Sequence, residues 1–312
     1  MQTERTVTDL SDKILRKPAL TAENRKYRFL FVQPFQLPND SPFADKYHSA
    51  VLTKEQRLRM NYLNIRPLLE DVEWDFHGGP AAPYGDWAVE TREEFCYVAA
   101  ARLPIVREAC ESGKYNAIIL LGGGEPGFLE SREIARKYRI PVTSCAFSQM
   151  HIAAMLGNKF SVIDFAESHN MYYYDLVVRH RFAERCASIR SIDYYHARPG
   201  HEGESTIADQ REKALKGERS EAVERSVVEA IAAIEEDGAE VITFGCSDAF
   251  WLQPFVQKRL DEMGWEVPCW RAIAAPSCWP SCSSIWVSMR AGSPSPATVR
   301  NGGAGKRHFS EQ

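Results

Sequence analysis

Apolar positions along the chain fall into two successive sets of strand-like and helix-like periods. Residues 28–33, Arg-Phe-Leu-Phe-Val-Gln, form a short apolar run closed by Pro34, which predicts a first buried strand. A proline-rich loop (Pro34, Pro38, Pro42) leads to a helical period over 53–69, with Thr53 and Gln56 placed as a capping box. Val-Glu-Trp-Asp-Phe at 72–76 predicts a second strand, ending in the turn His77-Gly78-Gly79-Pro80. Val98, Leu103, Ile105 and Val106 mark a helix that leads through Gly113 into a third strand at 116–121. The turn Gly122-Gly-Gly-Glu-Pro-Gly127 follows, with Pro126 as the expected first helical residue. A helix over 128–137 then precedes a strand over 140–145 that ends on Cys145.

The alternation then begins again. A helix over 148–156 is stopped by Gly157, and strands follow at 160–163 and 186–192. A long amphipathic helix at 221–236 carries Val223, Val227, Ile231 and Ile234 on one face. It feeds the β-branched run that ends at Gly245 and Cys246; a helix marked by Phe255, Leu260 and Met263 and an edge strand at 265–269 close the set. Alternating strands and helices predict an α/β chain of two pseudosymmetric lobes, each a four-stranded, mainly parallel sheet flanked by helices. The expected boundaries are a polar extension over 1–27, a first lobe over 28–148, a second over 149–270 and an irregular tail over 271–312. The tail is dense in Pro, Ser and Gly where a closing helix is expected. Shifting assumed GC-rich codons for 269–292 by one base restores an amphipathic helical pattern, so the tail reads as translated out of frame. Resequencing the coding DNA checks this; a clean in-frame read contradicts it.

Composition removes several function classes. A net charge of −4 gives no footprint for nucleic acid or an anionic membrane. No apolar run reaches the roughly eighteen residues that span a bilayer, and the first residues lack the apolar stretch of a secretory signal. The eight cysteines are scattered, without CxxC pairs or zinc-like spacing, which predicts reduced thiols, a cytoplasmic protein and no metal.

Candidate chemistry concentrates at strand ends. Cys246 sits between a strand and a helical pattern, where backbone N–H groups and the helix dipole stabilise a thiolate; a small buried hydrophobe is the other reading of the same residue. Gly122 to Gly127 matches GxGxxG, but it follows the third strand and no acidic residue ends the next one. It is read as a backbone-lined pocket for a carboxylate or oxyanion, not a dinucleotide site. His151, His169, His180, His196 and His201 show no paired-ligand spacing and are expected at the surface or in structural roles. Tyr172-Tyr-Tyr-Asp175 is read as packing, and the charge run 211–225 as a solvated helix face.

Taken together, several segments resemble the aspartate/glutamate/hydantoin racemase superfamily, nearest its hydantoin racemase branch. They are Tyr115-Asn-Ala-Ile-Ile-Leu-Leu-Gly-Gly-Gly-Glu-Pro-Gly127, Ile140-Pro-Val, Met150-His-Ile-Ala-Ala-Met-Leu-Gly157, Phe160-Ser-Val162, Arg185-Cys-Ala-Ser188 and Glu235-Glu-Asp-Gly-Ala-Glu-Val-Ile-Thr-Phe-Gly-Cys246. The resemblance covers about 28–270. It implies an active site in the cleft between the lobes, no cofactor, a small-molecule substrate and a homo-oligomer. It also implies two cysteines facing the substrate carbon, of which Cys246 matches the second and Gly122 stands at the first. A single thiol opposite glycine resembles the arylmalonate decarboxylase branch, although Gly123 and Gly124 replace the hydroxyl residues found there. Cys246 is therefore the expected catalytic residue, with Gly122, Gly123, Gly124, Ser247 and Asp248 as pocket wall. Gln33, Gly79, Pro80, Glu125, Cys145 and Gly245 complete the expected substrate-binding set. The function expected is a racemase acting on hydantoins or amino-acid derivatives. A single-cysteine lyase and an inactive binding protein are the alternatives.

Overall fold

A computed structural model describes residues 27–44, 72–201 and 205–270. The expected helix at 53–69, most of the amino-terminal extension and the tail lie outside the described residues. Two four-stranded sheets carry the fold. The first orders its strands β2 (Val72–His77), β1 (Tyr27–Val32), β3 (Ala117–Leu120) and β4 (Val142–Ser144). The second orders β6 (Cys186–Ser191), β5 (Phe160–Asp164), β7 (Val241–Phe244) and β8 (Cys269–Trp270). Every pairing is parallel. Strand order therefore repeats from one sheet to the next, as the doubled pattern predicts.

Parallel strands need helical crossovers, and the helices follow in order. They are α1 (Arg92–Glu111), α2 (Phe128–Arg136), α3 (Cys145–Leu156), α4 (Glu167–Arg179), α5 (Ile207–Leu215), α6 (Glu221–Glu235) and α7 (Gln253–Glu262). Because side chains alternate along a strand, each central strand feeds two cores. Leu30, Val32, Ile118 and Leu120 pack with Val106 and Ala135 on one face of the first sheet. Phe29, Phe31 and Ile119 belong to a cluster that extends into the second sheet through Ile163, Phe165, Ile242 and Phe244. On the other face of the second sheet, Phe160, Val162 and Val241 meet Met150, Tyr173 and Leu176.

Several expectations change. Cys145 does not end a strand: β4 stops at Ser144 and Cys145 is the first residue of α3. Pro126 lies before the helix, whose N-cap is Gly127. The Tyr-rich stretch belongs to α4, a helix without a clean apolar stripe because His169, Asn170 and Asp175 interrupt it. The charge run is not one solvated face: α5 and α6 are separate, and Gln210 and Arg211 are buried. The last strand starts only at Cys269, while Trp265 and Val267 fill the core beside it.

The sheets are tied across the cleft by polar contacts. Arg198 reaches Glu90 at 2.9 Å and Glu94 at 3.0 Å. Glu94 also closes the capping box of α1 with Thr91 and accepts from the Trp87 indole at 2.7 Å. Arg92 pairs with Asp175 at 2.5 Å, and Ser168 donates to Glu90 at 2.9 Å.

Candidate active site

The carboxyl ends of β1, β3, β5 and β7 converge on one pocket, where parallel α/β sheets bind ligands. From the first sheet come Pro34 and Phe35 after β1, Gly122, Gly123, Gly124 and Pro126 after β3, and Val89 and Phe95 around the start of α1. The second sheet supplies Asp164, His169, Tyr172, Tyr173, His196, Cys246, Ser247 and Asp248. Among the described residues, every titratable group on the pocket wall therefore belongs to the second half of the chain. The cavity is small, about 30 Å³.

The first wall is glycine because the lobes touch there. A Cβ on Gly123 would run into the carbonyl oxygen of Gly245, the Tyr173 hydroxyl and, at 2.7 Å, the α-carbon of Cys246. Gly122 holds φ +100°, where L side chains are strained, and a Cβ there would stand 3.1 Å from the Pro34 ring. The turn is gripped from behind by buried Arg102. Its guanidinium donates to the carbonyls of Val32 at 2.6 Å, Leu121 at 3.0 Å and Pro126 at 3.0 Å.

Cys246 stands two residues beyond the end of β7 and caps a short 3-10 helix, Ser247–Leu252. Burial, and then the carboxylates of Asp248 and Asp164, push its thiol well above the ordinary range. Hydrogen bonds from the Asp248 amide and Ser247 oppose this without reversing it. The expectation of a thiolate stabilised by a helix terminus is thus corrected: two buried carboxylates outweigh the backbone donors. Cys246 is held as a thiol, the form that gives a proton. Tyr173 donates its hydroxyl to the carbonyl of Gly245 and so fixes the strand end that carries Cys246. Burial and Asp164 push that phenol up, keeping it neutral.

Two imidazoles flank Phe165, with ring centroids at 5.1 Å for His169 and 4.7 Å for His196. His169 Nδ1 lies 3.4 Å from Asp164 Oδ1, a long contact, and His196 Nε2 lies 3.5 Å from Asp248 Oδ2. Asp164 is fully buried at the end of β5 and accepts from the Phe165 amide at 2.7 Å. Its Oδ2 lies over the α-carbon of Gly245 and has no hydrogen-bond partner among the described residues. Burial works against a charged His169, but Asp164, with Glu90 and Asp248, outweighs it and raises the imidazole pKa.

Of the expected site residues, the pocket brings together Cys246, Gly122, Gly123, Gly124, Ser247 and Asp248. The others stand outside its wall. Gln33 is buried at the end of β1, its amide bonded to the His77 carbonyl at 2.9 Å. Gly79 packs against the backbone of Gln33 and Phe35, and the Pro80 carbonyl accepts from Gln36. Gly245 lies behind the wall, under Asp164. Glu125 turns away: it accepts from Ser144, from the Phe147 amide, and at 2.7 Å from His180 on the far side of the cleft. Cys145 is a core residue, with its thiol pushed up to about 12 by burial and then by Glu125. Asp164, His169, His196, Tyr172 and Tyr173 were not expected in the site. The available signal was Asp164 itself, an acid closing the otherwise apolar Phe-Ser-Val-Ile strand.

Among the described residues no group of His, Cys, Asp and Glu has metal-site geometry, and no helix is long and apolar enough to cross a membrane.

Comparison with known proteins matches residues 88–269 to the family model described as Asp/Glu/Hydantoin racemase. A hydantoin racemase from Pseudomonas sp. (strain NS671) is 27% identical over 161 residues, 51% of this chain and 57% of that protein. The match thus spans little more than half of that relative's length. Among solved structures, an allantoin racemase from Klebsiella pneumoniae superposes with a TM-score of 0.57 at 19% identity, covering 85% of this chain and 89% of that one. An allantoin racemase from Pseudomonas fluorescens gives 0.56 at 21% identity, covering 88% and 99%. These structures share the fold.

Proposed function

The chain belongs to the Asp/Glu/hydantoin racemase family, and from that premise we propose that it moves a proton at a carbon next to a carbonyl, with Cys246 as catalytic thiol and a neutral, N–H-bearing substrate of the hydantoin type. The observation that carries this reading is the charge on the pocket wall. Cys246 opens beside two buried carboxylates, Asp164 and Asp248, and no lysine or arginine lines the pocket among the described residues. A free carboxylate substrate would meet these groups with no lysine or arginine among the described lining residues to offset the repulsion. A cyclic amide or ureide instead offers N–H donors to them, and Asp164 Oδ2 has a free acceptor site. Phe35, Val89 and Phe95 supply an apolar wall for the ring substituent.

In this mechanism the proton on the substrate carbon is acidic because its electron pair passes onto the neighbouring carbonyl. The Cys246 thiol, kept protonated by its carboxylate neighbours, returns a proton to that carbon. The glycine turn and Ser247 approach the developing enolate with polar groups that need no reorganisation. No cofactor is required in this scheme.

A second reading is a lyase in which loss of CO₂ creates the carbanion and Cys246 protonates it from one face. Gly122, which offers no acid or base opposite the thiol, favours it; the two carboxylates disfavour a malonate. One panel separates these readings. Wild type and Cys246→Ala are incubated with single enantiomers of 5-substituted hydantoins, with aspartate and glutamate, and with substituted malonates. Chiral chromatography and CO₂ release are recorded. The expected result is interconversion of hydantoin enantiomers, slowed about 10²–10⁴-fold in Cys246→Ala. CO₂ release would support the lyase, binding without turnover a binding protein. Undiminished turnover in Cys246→Ala removes the thiol from the mechanism.

A further inference from the structure

Interconversion of enantiomers needs two proton-handling groups, and position 122 cannot supply one. The positive φ of Gly122 and the Pro34 ring beside it leave no room for a side chain without strain. The rest of that wall among the described residues is Pro34, Phe35, Val89, Phe95, Pro126 and glycine, none of which titrates. Among the described residues, the titratable groups that line the pocket all come from the same half of the chain as Cys246. Tyr173 is already committed to the Gly245 carbonyl. His169 is different: it is 4% exposed, lines the pocket, and its Nε2 has no hydrogen-bond partner among the described residues. Its Nδ1 faces Asp164 Oδ1 at 3.4 Å. A carboxylate there selects the tautomer with the proton on Nδ1 and leaves the Nε2 lone pair on the opposite edge of the ring.

We propose that His169, oriented by Asp164, is the second acid–base group of the pocket, in the role that a thiol at position 122 would fill. The inference rests on the proton-transfer reading above. With one enantiomer, the His169 Nε2 lone pair takes the proton from the substrate carbon and the C–H electron pair moves onto the carbonyl. The Cys246 S–H bond then breaks toward the carbon, leaving thiolate beside imidazolium. With the other enantiomer that thiolate takes the proton and the imidazolium returns one, restoring thiol and imidazole. Both enzyme forms hold the same number of protons, so no co-reactant is needed. The charged and titratable groups facing His169 are Asp164, Glu90, Asp248 and His196. The carboxylates stabilise the imidazolium once it forms.

The test follows deuterium entering the α-carbon of D- and L-5-benzylhydantoin in D₂O. Wild type is expected to exchange both. His169→Gln should lose exchange of one enantiomer by about 10²–10⁴-fold while keeping exchange of the other, and Cys246→Ala should show the mirror-image pattern. The half-reaction that survives shows that each variant is folded. Asp164→Asn, which keeps the imidazole but removes its orienting charge, is expected to slow the same enantiomer as His169→Gln. Racemisation that survives His169→Gln within about threefold, or equal loss with both enantiomers in both variants, overturns the role of His169. Absence of exchange in the wild type overturns the proposed function, and the role of His169 with it.

Discussion

The turns after β3 and β7 occupy matching places in two sheets of the same strand order, yet they are built oppositely. After β3 the chain runs Gly122-Gly123-Gly124-Glu125, with no side chain in the cleft and its one acid folded back onto Ser144, Phe147 and His180. After β7 it runs Gly245-Cys246-Ser247-Asp248, and the last three line the pocket. The first turn is a fitted wall; the second places its side chains in the pocket, where the proposed mechanism uses Cys246. The two are in contact through Gly123 and Gly245. A side chain in the first turn would thus push directly on the strand end that holds the thiol. Two halves with the same strand order thus present different chemistry to one pocket: backbone from the first turn, and a thiol, a hydroxyl and a carboxylate from the second.

Substitutions that break this contrast are expected to differ in size. The largest effect on folding should come from Arg102→Met, which removes three hydrogen bonds to buried backbone behind the glycine turn. The Val32 carbonyl keeps the Leu121 amide; each of the other two buried carbonyls loses its partner at about 1–3 kcal/mol, so a loss of roughly 2–6 kcal/mol in urea unfolding is expected. Gly123→Ala comes next, because its methyl group meets backbone that cannot swing aside. Overpacking of this kind costs about 1–3 kcal/mol, and activity should fall further than stability as the lobes are forced apart. Gly122→Ala is milder. The positive φ and the 3.1 Å approach to Pro34 predict about 1–2 kcal/mol in a thermal or urea melt.

The smallest effects are those of pH. Because the Cys246 thiol is held above its ordinary range, its alkylation by iodoacetamide should be slow at neutral pH and climb only in strongly alkaline buffer. Asp248→Asn should bring that rise to lower pH. For His169 the folded-state pKa lies above the unfolded value. Its contribution to stability is therefore fully present below the ordinary imidazole range and lost as pH rises through the folded pKa. Asp164→Asn should flatten that part of the stability profile.

Much of this architecture can be read in the chain. The runs ending at Val32, Leu120 and Phe244 are short, apolar and punctuated by Gly or Pro, which leaves a buried parallel strand as the consistent reading. Cys246 stands out because it directly follows such a run. Helix α4 escapes the same logic: its buried positions His169, Tyr173, Leu176 and Val177 keep helical spacing, but the apolar Met171, Tyr174 and Val178 are exposed and erase the contrast. His169 and Asp164 meet only because α4 begins immediately after β5 and turns its first residues back over the strand end. That proximity is a property of the crossover, invisible in residue spacing taken as a motif. Cys145 misleads for the converse reason: it follows a strand in sequence, but helix α3 rotates it into the core.

The proposed mechanism has a protonated Cys246, in an acidic pocket whose described lining holds no lysine or arginine, move a proton on a neutral ring substrate. Its most direct test is the initial rate of optical rotation loss of L-5-benzylhydantoin with wild type and Cys246→Ala at equal concentrations. Measurable racemisation by the wild type is expected, with a decrease of about 10²–10⁴-fold on removing the thiol. Equal rates for the two proteins would contradict it.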